Sequence, residues 1–387
     1  MKVITKQFTR EILASTSFVL LALVALFAFF DLINQLDDVG KHFGLSDAFV
    51  FTALSLPARI YEVMPIAVLL ASVYTMSRWA SNSEFTVLRV AGLSPVSLAA
   101  SLLVPGLLVV LFTYGMGELV SPPATRYAQE LRVTLEKGGA VSARGYTSGV
   151  WIRDATTDEE GRKVDRYLNV KYISAQDRNV TGAWRFFEFN ENGHLMRLIR
   201  SESAEYRDGG WVLHDAVATV YPTVDVTDNA PMTERIEVRP AEEFVVKSSI
   251  GPDILSVMTS KPENMSMRDL DRYVAHLEKN NQQTEQYEIA FWTKVFYPLA
   301  TLVMLALSMP FAYMNARSGG MAIKIFLGVM IGIVFYALNN IFSYLGAVNT
   351  WSPIAVAITP TGGRAFTAPR ALDPLERAPK RSARQGC

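Results

Sequence analysis

The side chains with chemical potential in this sequence are charged and amide residues set inside apolar runs. Asp31 and Asn34 lie near one end of the first run, Arg59 and Glu62 stand three residues apart between Pro57 and Pro65, and Asn339 and Asn340 interrupt the last. A charge at bilayer depth is costly and normally faces protein or water. At i and i+3 of a helix, Arg59 and Glu62 share a face and are placed to pair. Two readings of the set stay open: hydrogen bonding between helices with interfacial snorkelling, or the lining of a polar cavity that receives a lipid head group. Enzyme chemistry finds no support, because the sequence has no GxxxxGK[ST] phosphate loop, no HExxH pair and no GxSxG elbow. The four histidines, His42, His194, His214 and His276, have no metal-ligand spacing. Each is expected at a surface or in a strand, and no catalytic or metal site is assigned.

The runs that hold these side chains are long. In a chain of 387 residues with 50% hydrophobic content, the stretch from about Ile12 to Leu36 is almost uncharged and exceeds the roughly 20 residues a spanning helix needs. It is too long for a signal peptide and has no small-residue cleavage site. Similar runs at about Ala48–Met76, Pro95–Val120, Ala290–Met314 and Met321–Val348 bring the spans to five. Lys2, Lys6 and Arg10 precede the first, Arg78 and Arg89 separate the second from the third, and Arg317 and Lys324 bracket the turn NARSGGM. The positive-inside rule puts the N-terminus and these turns in the cytoplasm. Lys+Arg 37 against Asp+Glu 37 offers no hint of a nucleic-acid partner.

Between the third and fourth spans the composition turns polar and alternating. The runs RYLNVKYIS, WRFFEFN, HLMRLIRSESAEY and WVLHDAVATVYP are broken by turn signals at Asn192-Gly193 and Asp208-Gly209-Gly210, the pattern of short antiparallel strands in a sandwich or roll. A helix follows, capped by Ser266, with Leu270, Tyr273, Val274 and Leu277 on one face. Only Cys387 carries a thiol, so the domain is expected to hold itself by its core.

One cytoplasmic segment is amphipathic. In SEFTVLRVAGLSP, Glu84, Val87, Leu88 and Ala91 repeat at helical spacing with Arg89 beside them; Ser81 or Ser83 is placed to cap the start, and Gly92 with Pro95 ends the helix. Such a helix between two spans suits docking into a groove on an ATPase, or is simply a tight interfacial turn.

The order of these motifs resembles the LptF/LptG permease family, the membrane subunits of an ABC exporter of lipopolysaccharide. The resemblance rests on Ser83, Glu84, Ala91, Gly92 and Leu93, on GELVSPPATRYAQELR (Gly117–Arg132), and on YEIAFWTKVFYPLATLVMLALSMPF (Tyr287–Phe311) and FYALNNIF, which are similar to the LptG branch. It implies an α-helical polytopic inner-membrane protein carrying an inserted periplasmic all-β jellyroll, with an LptF-like permease, an LptB-like ATPase dimer, an LptC-like single-span protein and lipopolysaccharide as partners. It implies no cofactor in this chain, ATP and Mg lying on the ATPase. The segment matching the family's coupling helix would be Glu84, Val87, Leu88, Arg89, Ala91 and Gly92, and the substrate cavity would take Asp31, Asn34, Lys41, Arg59, Glu62, Arg132 and Asn339.

The expected layout is residues 1–120 for three spans with the short helix at about 81–94, 121–286 for the jellyroll and returning helix, 287–360 for the later spans, and 361–387 as a disordered tail. Two departures from the family pattern stand out. Asp31, Asp37 and Asp38 occupy positions where some relatives have Lys, which puts phosphate contact there in doubt and leaves a divalent ion as a conceivable bridge. After NTWSPIAVAITP the family continues with a sixth span, whereas this chain turns rich in Pro, Ala and Arg, as a shifted reading frame, a cloning artefact or a genuine variant with a disordered tail would each produce. A lipoprotein-type ABC permease and a membrane-anchored periplasmic scaffold are the alternative functions.

Overall fold

A computed structural model describes residues 2–37, 39–40, 43–90, 95–137, 140–142, 150–157, 163–174, 180–222, 235–248, 250–252, 254–255, 261–313, 321–348 and 352–365. Of the tail expected to be disordered, residues 361–365 instead continue a helix, and those from 366 onward lie outside the described residues. Five helical stretches are long and apolar enough to cross a membrane: Thr5–Leu36, Leu45–Ser81, Ser97–Gln129, Glu285–Ala312 and Ala322–Gly346. They coincide with the five runs read from the sequence.

The first half consists of α1 (Lys2–Leu36), α2 (Leu45–Ser81), the short α3 (Glu84–Val90), and α4 (Pro95–Gly115), which continues through a π-helical turn, Met116–Val120, into α5 (Ser121–Lys137). The rod formed by α4, the π turn and α5 therefore outlasts its apolar part and carries the chain toward the first strand at Ala140. Helix α2 sits at the centre. Its Met64, Val68, Leu69, Val73, Met76 and Trp79 join one buried cluster with Phe8 and Ile12 of α1, Phe85 of α3 and Leu98, Leu102 and Val109 of α4. Most of the buried residues of α2 lie between Val63 and Trp79, whereas Leu45, Phe49 and Val50 near its start are exposed. Polar contacts reinforce the packing, as lipid supplies no hydrophobic drive between helices: Thr75 Oγ1 lies 3.1 Å from Ser15 Oγ of α1.

After the β domain come α6 (Met267–Lys279), α7 (Glu285–Phe296), a 3-10 turn at Tyr297–Leu299, α8 (Ala300–Leu307), α9 (Met309–Tyr313), α10 (Met321–Val348) and α11 (Pro353–Ala365). Met304 and Leu305 of α8, Phe311 of α9 and Phe335 of α10 complete the cluster around α2. By contrast α1 and α10 leave Phe18, Leu21, Phe29, Phe326 and Ile333 exposed, side chains that suit acyl chains or another apolar helix. Helix α11 packs against α7 and α10 and, at 13 described residues, is shorter than the roughly 20 a spanning helix needs.

The inserted domain is antiparallel β. The strands β1 (Ala140–Ser142), β2 (Val150–Thr157), β3 (Lys163–Ser174), β4 (Val180–Phe189), β5 (Leu195–Arg207), β6 (Gly210–Val220) and β7 (Glu237–Lys247) form a sheet of order β1-β3-β4-β5-β6-β7, with β2 also pairing β3. The turn signals sit where the sequence put them: Gly193 has φ 77°, and Asp208 and Gly209 have φ 51° and 79°, the left-handed pair a two-residue hairpin demands. One row across the sheet, Ala183, Glu202, Asp215 and Glu242, has no register partner, and Ala183 and Asp215 take positive φ. Inward-facing positions change parity across it, from Ile199 and Ser201 to Ala204 on β5, and from Trp211 and Leu213 to Ala216 and Ala218 on β6. The pairing register is the same on both sides of the row, so the turnover accompanies the positive φ of Ala183 and Asp215 and not a slip of register. In the apolar core Trp184 lies 4.6 Å from Trp211, and their N–H groups donate to Thr181 Oγ1 at 2.5 Å and the Ile250 carbonyl at 2.8 Å.

Helix α6 ties this domain to the membrane. Ser266 caps it as expected, with Asp269 closing the reciprocal box. The helix buries Leu270, Tyr273 and Leu277 against Tyr287 and Phe291 of α7, and Ile254 touches both this cluster and the β core. The reading of all histidines as surface or strand residues is corrected at His276, which is 7% exposed on α6. It lies one turn below Asn280, whose Nδ2 donates to the His276 carbonyl at 2.9 Å; that packing, rather than sequence pattern, draws it in.

Burial holds the His276 imidazole below its ordinary pKa of 6.5, with Lys279 adding to the effect and Asp154 opposing it. The folded state then binds fewer protons than the unfolded one, so this contribution is complete above about pH 6.5 and is lost as the pH falls below that. The melting temperature of the full protein in detergent is expected to drop between about pH 7.5 and about pH 5.5, and His276→Gln to flatten that slope. An unchanged slope would assign the acid sensitivity to other groups.

Candidate functional site

Two residues, Asn82 and Ser83, separate α2 from α3. The Asn82 N–H donates to the Arg78 carbonyl at 3.0 Å, and Ser83 takes φ 59°, a left-handed conformation uncommon outside glycine. Capping by Ser81 is corrected: its hydroxyl donates back to Ser77 O at 2.8 Å. Ser83 contributes its carbonyl, accepting from Val87 N at 3.2 Å, while Asn82 Nδ2 donates to Glu84 Oε1 at 3.2 Å.

A helix of 7 residues does not persist alone in water; burial of one face holds α3 in place. Phe85, 4% exposed, lies 6.0 Å from Phe8 and 5.8 Å from Trp79, which meet edge-on at 4.3 Å. Burying one such ring contributes about 1.5–3 kcal/mol. Leu88 packs partly against the same cluster. The opposite face presents Val87, 66% exposed, and Val90, 87% exposed, with Glu84 half-buried at the start. Of the remaining residues expected here, Ala91 and Gly92 lie outside the described residues, as does the side chain of Arg89.

The second constellation lies at the other end of α1 and α2. Arg59 donates from Nε and Nη2 to the two carboxylate oxygens of Asp31, each at 2.8 Å, and from Nη1 to Glu62 Oε2 at 2.8 Å, so the i,i+3 pair forms. The second Glu62 oxygen accepts from the Tyr336 hydroxyl at 2.9 Å, and the Glu62 carbonyl from Tyr297 at 2.5 Å. Side chains from α1, α10 and the 3-10 turn thus converge on the Arg59–Glu62 pair of α2. The guanidinium fork is engaged by two carboxylates, and the three side chains together carry one net negative charge. Arg132 sits nearby on α5, its Nη1 3.5 Å from Gln35 Oε1 and its guanidinium 5.7 Å from the Phe51 ring. Asn34 is exposed at the end of α1 and Asn339 half-buried on α10; neither is joined to the cluster by a described contact. Lys41 and Asp38 lie outside the described residues, and among those residues no group of acidic, His or Cys side chains is arranged to hold a metal.

Sequence reasoning passed over a third set. Lys294 of α7 is 7% exposed; its Nζ donates to the Gly117 carbonyl at 3.3 Å and lies 5.9 Å from the centre of the Tyr61 ring. Gly117 sits in the π turn, where a Cβ would overlap the Tyr61 ring. The next residue, Glu118, accepts the first amide of α6, Met267 N, at 2.8 Å, a charge placed where the helix dipole favours it, and Arg126 pairs with Asp269. The signal was present: a lysine inside the fourth apolar run is as unusual as Arg59 in the second.

The chain matches a family model described as lipopolysaccharide export system permease LptF/LptG over residues 6–367. Among individual relatives it is 26% identical over 357 residues to the lipopolysaccharide export system permease protein LptG of Haemophilus influenzae, covering 91% of this chain and 93% of that protein. It is 25% identical over 364 residues to the protein of the same name in Escherichia coli K12, covering 93% and 94%.

The Asp31–Arg59 contact yields a direct check. Asp31→Asn and Arg59→Met are each expected to destabilise the protein, and together to cost less than their sum by about 2 kcal/mol, measured by unfolding in mixed micelles. Strict additivity would mean that the two helices are held together elsewhere.

Proposed function

This chain belongs to the family of lipopolysaccharide export system permeases LptF/LptG, and from that premise we propose that it is a lipopolysaccharide export permease of the LptG kind, a multi-pass inner-membrane subunit that transports rather than catalyses. The observation that carries the proposal is the match over residues 6–367, which runs through both helical parts and the inserted β domain. In this reading an LptB-like ATPase dimer supplies the work, with ATP and Mg bound to it, an LptF-like permease completes the membrane unit, and an LptC-like single-span protein leads onward to a periplasmic bridge. The N-terminus and α3 face the cytoplasm and the β domain faces the periplasm.

Lipopolysaccharide enters sideways between this subunit and its partner. The exposed apolar flanks of α1 and α10, with Phe18, Leu21, Phe29, Phe326 and Ile333, suit its acyl chains. The ATPase engages α3 through Val87 and Val90 with Glu84 beside them, and its closure narrows the cavity before the lipid passes to the β domain. Coupling requires that the ATPase bind the wide and narrow states of the cavity unequally; equal affinity would shift nothing. We assign contact with anionic head groups to the basic residues Arg132 and Lys41, the former on α5 beside Gln35 of α1.

The test is to purify the permease with its ATPase and follow lipopolysaccharide release from proteoliposomes. Val87→Asp with Val90→Asp, and separately Glu84→Ala, are expected to leave the permease folded while lowering ATPase retention about tenfold, equivalent to roughly 1.4 kcal/mol. Full retention and wild-type release in both variants would remove α3 as the docking element.

A further inference from the structure

We propose that Glu11 is a positioning residue that locks α3 to α1, so that α1, α2 and α3 shift as one body when α3 is displaced; the proposal rests on the export reading above, in which α3 is the element the ATPase moves. A single carboxylate oxygen carries the contact. Glu11 Oε2 accepts from Trp79 Nε1 at 2.6 Å and from Arg78 Nη2 at 2.8 Å. The Arg78 side chain is 44% exposed and that of Glu11 23%, so the ion pair by itself adds little. The bond to the indole is a different matter. Trp79 is 3% exposed, a buried N–H of this kind requires an acceptor, and Glu11 is the acceptor it has.

That bond fixes the plane of the ring on which α3 rests. The Trp79 ring meets Phe8 at 4.3 Å and Phe85 at 5.8 Å, so three helices share one aromatic contact whose orientation is set from α1. One turn from Glu11 the same α1–α2 pair is joined again by Ser15 and Thr75 at 3.1 Å, and at the far end by Asp31 and Arg59 at 2.8 Å. Otherwise α1 is the least enclosed of the spans, with 11% of its apolar window buried. Phe8 and Ile12 of α1 join the apolar cluster built on α2, and polar contacts at Glu11 and Ser15 near α3 and at Asp31 near the far end tie the same two helices together. Displacement of α3 therefore reaches the outer end of α1, where the charge cluster lies.

The experiment uses the complete complex with its ATPase and partner permease in proteoliposomes, reading lipopolysaccharide released per ATP hydrolysed. Glu11→Ala and Trp79→Phe are each expected to lower that ratio about fivefold or more while the ATPase stays bound. Glu11→Gln, which retains an acceptor for the indole and discards the charge, should remain near wild type. A second measurement is independent of transport: in the full chain carrying Cys387→Ser, spin labels at Arg10→Cys and Val90→Cys should give one narrow distance distribution that broadens on adding Glu11→Ala. An unchanged distribution overturns the lock. A broadened distribution with an unchanged ratio overturns the coupling role, leaving Glu11 a structural contact. Absence of lipid release from the wild-type complex would count against the export reading, and the distance measurement would then decide the lock alone.

Discussion

A polar group on a helix inside the bilayer has no water to turn to, and the membrane half of this protein is organised around meeting that demand on α2. The helix contributes more side chains to the buried cluster than any other, yet it carries Arg59, Glu62 and two prolines. Its charges are answered by neighbours: Asp31 from α1, and Tyr336 from α10. Because those partners come from different helices, satisfying α2 also fixes the positions of α1 and α10, which otherwise leave much of their surface to lipid. The result is a bundle with a firm centre and loosely covered flanks.

The junction with the β domain follows the same logic from the other direction. The sheet has its own core, built on Trp184, Phe186, Trp211 and Leu213, and needs the membrane only as an anchor. The anchor combines both kinds of contact: Leu270, Tyr273 and Leu277 of α6 pack on Tyr287 and Phe291 of α7, while Glu118 from the π turn receives the first amide of α6 and Arg126 meets the capping Asp269; Lys294 ties α7 to the same turn through the Gly117 carbonyl. A π turn opens a helix locally and recurs at functional positions. Here it carries both Glu118, which holds α6, and Gly117, whose missing side chain lets the Tyr61 ring approach.

At the opposite end, α3 is held by aromatic packing on one face and exposes two valines on the other. The division between a buried face and a presented face is what a docking element requires, and neither follows from its seven residues in isolation. Phe85 has nowhere to go without Phe8, nearly eighty positions earlier in the chain.

Much of this was legible in the residues alone. Apolar runs of sufficient length dictate membrane helices because the backbone has no alternative partner in lipid, and alternation with Asn-Gly and Asp-Gly turns dictates hairpins because few residues accept positive φ. The Arg59–Glu62 pair was legible for the same local reason, three residues being one turn. What the tertiary structure alone decided were the contacts between distant segments. Asp31 meets Arg59, Glu11 meets Trp79, Glu118 caps a helix 149 positions away, and His276 is drawn into a core by the helix it packs on. Local periodicity reports which face of an element is apolar, but the partner of a charge is set by which elements the packed bundle brings together, and that information is in no single stretch of sequence.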